Sequence, residues 1–191
     1  MPTLPTLAGQ FVNLRPLRAE DAEVTLAWRQ GERARLLNKG AKTLDAQIDW
    51  IRRRPSSEYN FIIELKDLTP IGMLSLIDVN TINRHAEPAR FLIGDEAAAR
   101  GAPAAVEAMK LLYEFAFDTL GLNRLFGTVV AGNRRMAIWQ TYLGMRQEGV
   151  MREHYFIDGK LQDAIMFGLL VSDYRTVSLP RMTALIALSA K

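Results

Sequence analysis

Apolar and polar positions along the chain predict a succession of strands and helices. Phe11 to Leu17 reads as a strand, and Arg15-Pro16-Leu17-Arg18-Ala19-Glu20-Asp21 leads into a helix whose apolar positions Val24, Leu26 and Ala27 fall at helical spacing. After Gly31, Thr43 to Arg54 forms a second helical stretch with Leu44, Ile48 and Ile51 on one face, Trp50 beside them, Thr43 as N-cap and Pro55-Ser56-Ser57 as the stop. Three β-rich runs follow, Tyr59 to Leu65, Ile71 to Val79 and Ala89 to Ile93, separated by turn-forming segments and expected to form an antiparallel meander. The strongest helix signal runs from Pro103 to Leu120. Met109, Leu112, Tyr113, Ala116, Phe117 and Leu120 make its buried stripe; Glu107, Lys110, Glu114 and Asp118 line the opposite face. Pro103 suits the first helical position and Gly121 the stop. A strand from Arg124 to Val130, a helix capped by Asn133 and ending at Gly144, and a hairpin of Met145 to Tyr155 and Ala164 to Leu170 turning at Asp158-Gly159 complete the order.

Strands interrupted by helices, with an antiparallel middle, describe an α/β protein: a single mixed, mainly antiparallel sheet flanked by helices. A length of 191 residues fits a single domain, 1–191, in which 172–191 is a C-terminal tail of uncertain structure. Leu179, Met182, Leu185, Ile186 and Leu188 make that tail too apolar for a free terminus, so it packs either on its own domain or on a second subunit, a homodimer.

Composition narrows the function. The chain has no cysteine and two separate histidines, which excludes disulfides, thiolate metal sites and a cysteine nucleophile and leaves no histidine-rich metal site. A net charge of +3, with no basic tract beyond Arg52-Arg53-Arg54, does not indicate nucleic acid as a partner. No apolar run approaches the ~20 residues that span a bilayer, and Met1-Pro2-Thr3-Leu4-Pro5 lacks the charged and apolar regions of a signal peptide. A soluble cytoplasmic protein without a membrane partner is expected.

Chemistry is expected first at the junction Ile93-Gly94-Asp95-Glu96-Ala97-Ala98-Ala99-Arg100-Gly101-Ala102-Pro103. It carries a strand into the start of the strongest helix, where unpaired amides, a positive dipole end and small side chains suit a phosphate or pyrophosphate. Packing alone also explains such a turn.

Ala86-Glu87-Pro88-Ala89-Arg90-Phe91-Leu92-Ile93-Gly94, Arg100-Gly101-Ala102-Pro103-Ala104-Ala105, Asn133 and Leu143-Gly144-Met145 give the chain its resemblance to the GCN5-related N-acetyltransferase (GNAT) superfamily, over about residues 9 to 171. Trp28-Arg29-Gln30 and Glu148-Gly149-Val150-Met151-Arg152 are similar to the branch acting on ribosomal-protein N-termini and amino-sugar nucleotides. The resemblance implies acetyl-CoA as acyl donor, held by the amides of Gly101, Ala102, Ala104 and Ala105 with Arg100, by Asn133 on the pantetheine arm and by Arg134 or Arg135 at the ribose phosphate. It implies a strand amide, of Leu92 or Ile93, polarising the thioester oxygen. Trp28, Arg29, His85 and His154 become acceptor-side candidates.

The same comparison exposes departures. Pro103 replaces the second glycine of the cofactor signature and has no N–H for a phosphate oxygen. The slot seven residues after Asn133, where many members carry a proton-donating tyrosine, is Gln140. Tyr142 lies two residues on, roughly 200° around the helix, and competes as acid with a bound water or no specific acid. Glu87 is the candidate base for the acceptor ammonium, with His85 and His154 as competitors. The resulting expectation is a direct acetyl transfer to a primary amine of an amino-sugar nucleotide or other small molecule. A protein N-terminal acetyltransferase and a non-catalytic acyl-CoA-binding module are the alternatives.

Overall fold

Eight strands hydrogen-bond into one mixed sheet in the computed structural model, which describes residues 4–37 and 39–189; Met1 to Thr3 of the start and Ala190 and Lys191 of the tail lie outside the described residues. The strands are β1 (Leu7–Ala8), β2 (Val12–Pro16), β3 (Tyr59–Leu65), β4 (Pro70–Asn80), β5 (His85–Ile93), β6 (Arg124–Val130), β7 (Arg146–Ile157) and β8 (Lys160–Leu170), and their spatial order is β1-β2-β3-β4-β5-β6-β8-β7. Every neighbouring pair is antiparallel except β5 and β6. A parallel pair needs a crossover, and the chain supplies it between residues 94 and 123, with α3 (Ala104–Glu114) at its centre.

The central strands are buried on both faces, which is why Tyr59 to Leu65 is a nearly continuous apolar run rather than an alternating one. Alternation still sorts their side chains. Phe61 and Ile63 join the large core with Met109, Leu112 and Ala116, whereas Ile62, Met73 and Leu92 join a smaller cluster with Ala22 of α1 (Ala22–Gln30) and Ile51 of α2 (Leu44–Arg52). The helices α1 and α2 therefore cover one face and α3 the other. Thr43 caps α2 as expected, accepting from the Ala46 amide at 3.3 Å. Leu44, expected on the buried face, is 42% exposed. Gln47 is buried there instead, donating to the Thr25 hydroxyl at 2.9 Å, so a polar contact between α1 and α2 replaces an apolar one.

The predicted buried stripe of α3 is correct, but three features of this helix differ from expectation. Regular α-helix ends at Glu114 and passes into a π-helical turn, Phe115–Thr119. Pro103 is the N-cap rather than the first helical residue, with its carbonyl accepting from the Glu107 amide at 3.0 Å. Glu107 is not on the solvent face. It is 4% exposed, and its carboxylate accepts from the backbone N–H groups of Gln10, Phe11 and Val12 at 2.6, 2.7 and 2.7 Å. The short strand β1, which no periodicity announced, is pinned to β2 beside that carboxylate. Lys110 and Glu114 do face outward and pair at 2.6 Å.

Asn133 caps α4 (Arg134–Tyr142), accepting from the Met136 amide at 3.2 Å. At Asp158-Gly159 both residues have positive φ, +50° and +77°, the signature of a two-residue type I′ hairpin turn, and Ile157 pairs with Lys160 across it. The tail forms α5 (Val171–Asp173), a π-helical turn over Tyr174–Ser178, and α6 (Leu179–Ser189). Tyr174, Met182 and Ile186 are buried in the large core, so of the two fates expected for the tail the structure shows packing on its own chain.

Candidate functional site

Only His85 with Arg124 and Ala86 with Leu125 are paired between β5 and β6. Beyond them the two strands part, leaving a wedge-shaped gap in the sheet. Two sequence features belong to that divergence. Pro88 has no N–H to give a ladder and stands two residues past the last paired residue of β5. A bulge then sets Arg90 and Phe91 against Leu74 alone, since Met73 pairs with Leu92 and Ser75 with Ala89. Arg90 takes the left-handed φ of +55° at the bulge. Its guanidinium is fixed by Glu58 at 2.9 and 3.2 Å and by Asn60 at 3.1 Å, and its Cζ lies 5.3 Å from the centre of the Trp50 ring.

A cavity of about 690 Å³ opens at this gap. Its walls come from Arg29 on α1, residues 36–37 and 39–41 after it, Trp50 on α2, residues 87–91 of β5, residues 128–130 of β6, Asn133, Met136 and Gln140 around α4, and His154 and Tyr155 on β7. Glu87 reaches across the gap: a methyl group built on Gly127 of β6 would stand 3.6 Å from its Oε1. Among the described residues Glu87 makes no hydrogen bond or ion pair. Burial first, and then the Asp78 charge, push its carboxyl above the usual carboxylate range, and Arg90 offsets part of that rise. The Thr128 and Tyr155 hydroxyls share a 2.5 Å hydrogen bond on the opposite wall.

The cavity thus brings together Glu87, Arg29, Asn133 and His154 from the expected set. His154 lies at the exposed rim with its ring 4.8 Å from that of Tyr155. Gln140 faces the cavity as its slot predicts, and its Oε1 is buried without a hydrogen-bond partner. Tyr142 does not reach the cavity. It is 47% exposed, its carbonyl accepts from Arg181 at 2.7 Å, and its ring lies 5.7 Å from the Arg181 Cζ. The rotation of two residues along α4 separates it from Gln140. His85 also stays outside, at the closed base of the gap, against the Phe126 ring at 5.3 Å. Trp28 packs on Gly94, where any Cβ would overlap the indole, and supports the smaller core instead of lining the cavity. Composition and spacing did not single out Arg90 or the Thr128–Tyr155 pair; the bulge that aims Arg90 leaves no residue-type signal, and Tyr155 reads in sequence as packing.

The expected phosphate cradle lies outside this cavity, at the start of α3. Gly101 has φ +86°, Arg100 is exposed, and Ala98 is held by an Asp95 side-chain bond at 2.9 Å. The amides of Ala104, Ala105 and Val106 precede the first intrahelical donor, the Glu107 N–H, and so have no partner within the helix. Leu92 and Ile93 are buried, and the Ile93 carbonyl accepts from Arg33 at 3.0 Å. Arg134 and Arg135 are exposed at the start of α4. A gap between parallel strands, leading from a cavity toward unpaired amides among small side chains, fits an elongated molecule with an acyl end and an anionic end.

The sequence profile of the acetyltransferase (GNAT) domain matches residues 12–146, well over half of the chain. The chain belongs to the GNAT acetyltransferase family. Members of this family use acetyl-CoA as acyl donor, the kind of molecule that the gap and the α3 amides fit. Among individual relatives, the spermidine N(1)-acetyltransferase of Escherichia coli (strain K12) is 29% identical over 118 residues, 62% of this chain and 61% of that protein. The chain therefore spans about three fifths of that relative's length. The Bacillus subtilis (strain 168) protein YdaF, provisionally named a ribosomal N-acetyltransferase, is 30% identical over 128 residues, 66% of this chain and 67% of its own. A GCN5-related N-acetyltransferase from Brucella melitensis superposes with a TM-score of 0.79 at 22% identity, covering 96% of this chain and 87% of that one, and so shares the fold.

Proposed function

We propose that this GNAT protein transfers the acetyl group of acetyl-CoA directly to a primary amine of a small molecule, with Glu87 as the base. One observation carries the reading: a half-buried carboxylate that faces the cavity and makes no hydrogen bond among the described residues is placed to accept a proton. Acetyl-CoA supplies the reactive thioester. Its phosphates meet the amides of Ala104 and Ala105 and the Gly101 turn, assisted by Arg100, while Arg135 meets the ribose phosphate and Asn133 the pantetheine arm. The unpaired edge of β5 past the bulge, at Leu92 or Ile93, offers an N–H to the thioester oxygen. Glu87 takes the proton of the acceptor ammonium, directly or through one water, and frees the nitrogen lone pair for attack; as the C–N bond forms, the thioester C–S bond would break, with CoA leaving as a thiolate and the second nitrogen proton passing to that thiolate through water. Holding amine and thioester in line accounts for most of the acceleration.

The cavity volume is that of small-molecule sites, which supports a compact acceptor such as an amino-sugar nucleotide over a protein N-terminus. Among the described residues no helix is long and apolar enough to cross a membrane, and the reading puts the chain in the cytoplasm with its acyl donor. A non-catalytic acyl-CoA-binding module is the second reading, favoured by Gln140 in the slot where a proton donor was expected. Thiol release from acetyl-CoA, measured with a panel of small amines and N-terminal peptides, tests both. Turnover with a small amine, and loss of the acidic limb of the pH profile in Glu87→Gln, is the expected result. Tight CoA binding with no turnover on any amine establishes the module instead.

A further inference from the structure

Acetyl transfer moves two protons, and Glu87 accounts for one of them. The sulfur that leaves needs a proton as well. In an attack geometry the nitrogen stands about 3–3.5 Å from the carbonyl carbon, and the sulfur is bonded to that carbon. A donor for the sulfur must therefore line the same gap as Glu87. Among the described residues that line the cavity, Gln140 and Asn133 carry no acidic proton, the arginines do not release theirs, and Lys39 and His154 are exposed. The hydroxyls of Thr128 and Tyr155, both half-buried, are left.

The sheet brings these hydroxyls to the gap. Tyr155 belongs to β7, and β8 lies between β7 and β6, yet its hydroxyl is 2.5 Å from that of Thr128 on β6. A bulge precedes it: Met151 pairs with Ala164 and Tyr155 with Gln162, so Arg152, Glu153 and His154 stand against Asp163 alone. Glu153 takes a φ of +52° there, and its amide donates to the Asp163 carboxylate at 2.8 Å. Ala86 stands opposite Leu125, so alternation puts Glu87 on the sheet face of Phe126 and, two residues on, of Thr128. Two hydroxyls carry two hydrogens, and their mutual bond uses one. Neither makes another hydrogen bond among the described residues, so the pair has one O–H to spare.

We propose that Tyr155, backed by Thr128, is the proton donor to the departing sulfur. The inference rests on the acetyltransferase reading and completes its proton route. As the C–N bond forms and the C–S bond breaks, the Tyr155 O–H bond breaks too, and its proton goes to the sulfur to give CoA as a thiol. The Thr128 O–H donates to the tyrosinate oxygen while that oxygen is charged. The second nitrogen proton then returns through water to Tyr155, and Glu87 keeps the first, so the protons balance. A phenol and a thiol are acids within about two pK units of each other, which makes the exchange nearly level. Before the proton moves, the phenol stabilises the developing thiolate through a charge-assisted hydrogen bond.

Two measurements test this, one of them without turnover. The thiol of bound CoA is titrated by its thiolate absorbance in the ultraviolet, with the desulfo-CoA complex as blank. A Tyr155 hydroxyl that donates to the sulfur should make that thiol ionise about one pH unit lower in the parent than in Tyr155→Phe. Thiol-release kinetics with the amine that turns over fastest should show kcat lowered about 10²-fold in Tyr155→Phe, with KM for the amine little changed. Thr128→Val should lose several-fold in kcat and shift the sulfur titration in the same direction, and Thr128→Ser should recover most of both. These variants keep the pair testable if Tyr155→Phe fails to fold. An unmoved sulfur titration overturns the inference: with kcat unchanged the ring only packs, and with KM for the amine raised the hydroxyl serves the acceptor. A moved titration with parental kcat leaves a bond to sulfur without proton transfer and overturns it too. In each of these cases turnover by the parent leaves the acetyltransferase reading standing, whereas a parent silent with every amine overturns both.

Discussion

Two glutamates withdrawn from water behave in opposite ways. At the corner where residues 10–12 meet α3, Glu107 accepts three backbone N–H groups within 2.7 Å. At the gap between β5 and β6, Glu87 has no hydrogen bond among the described residues and feels burial and the Asp78 charge instead. Carboxylates are expensive to bury unless their lone pairs are satisfied. The corner meets that cost with bonds and becomes a structural clasp. The gap leaves it unmet, and the result is a group disposed to take a proton. The same side chain is thus scaffold in one place and candidate chemistry in the other, and what separates them is the number of donors within reach.

The contrast breaks most visibly at the clasp. Glu107→Ala strands three amides and should cost about 3–5 kcal/mol, lowering Tm by roughly 10 °C, while Glu107→Gln, which keeps one accepting oxygen, should lose about half as much. Thermal melts of the two variants decide it; equal losses would mean that volume rather than donors and acceptors matters at this corner. At the gap, Glu87→Gln should lower kcat/KM by about 10²-fold or more with little effect on CoA affinity. Activity of the unmodified protein should rise with pH through a pKa above the ordinary glutamate value, because the base works only when deprotonated, and this limb should be missing in the variant.

Stability sharpens the comparison further. A carboxyl whose folded-state pKa is raised contributes stability below its unfolded pKa and loses that contribution as pH rises through the folded value. Glu87→Gln should therefore melt slightly above the parent at neutral pH, the difference closing as pH falls below about 4. The smallest expected effect is at the N-cap of α4. Asn133→Ala should cost about 1 kcal/mol, a few degrees in Tm, and a rise in KM for acetyl-CoA out of proportion to that loss would assign the side chain a role beyond capping.

Much of the fold was legible because its signals are local. Tyr59–Leu65 and Arg124–Val130 were read to the residue, Thr43 and Asn133 cap as their chemistry demands, and Asp158-Gly159 turns as a hairpin. In the site, Glu87 and Gln140 were picked out by the family resemblance rather than by any pattern of residues, and both line the cavity. Tyr142, Trp28 and His85 were placed on the acceptor or catalytic side by similarity of residue type, and packing against Arg181, Gly94 and Phe126 takes each away from the cavity.

The sequence by itself determined the order of elements from β2 to β8, the Thr43 and Asn133 caps, the Asp158-Gly159 turn and the absence of thiol chemistry, since each depends on neighbours a few positions apart or on composition. Tertiary structure alone decided which carboxylate is clasped and which is left open, and which cations surround the acceptor space. Glu107 meets Val12 across 95 positions, and Arg90 meets Glu58 across 32. No periodicity encodes such meetings, because they depend on how whole strands and helices pack, and that packing sets the local supply of donors and charge.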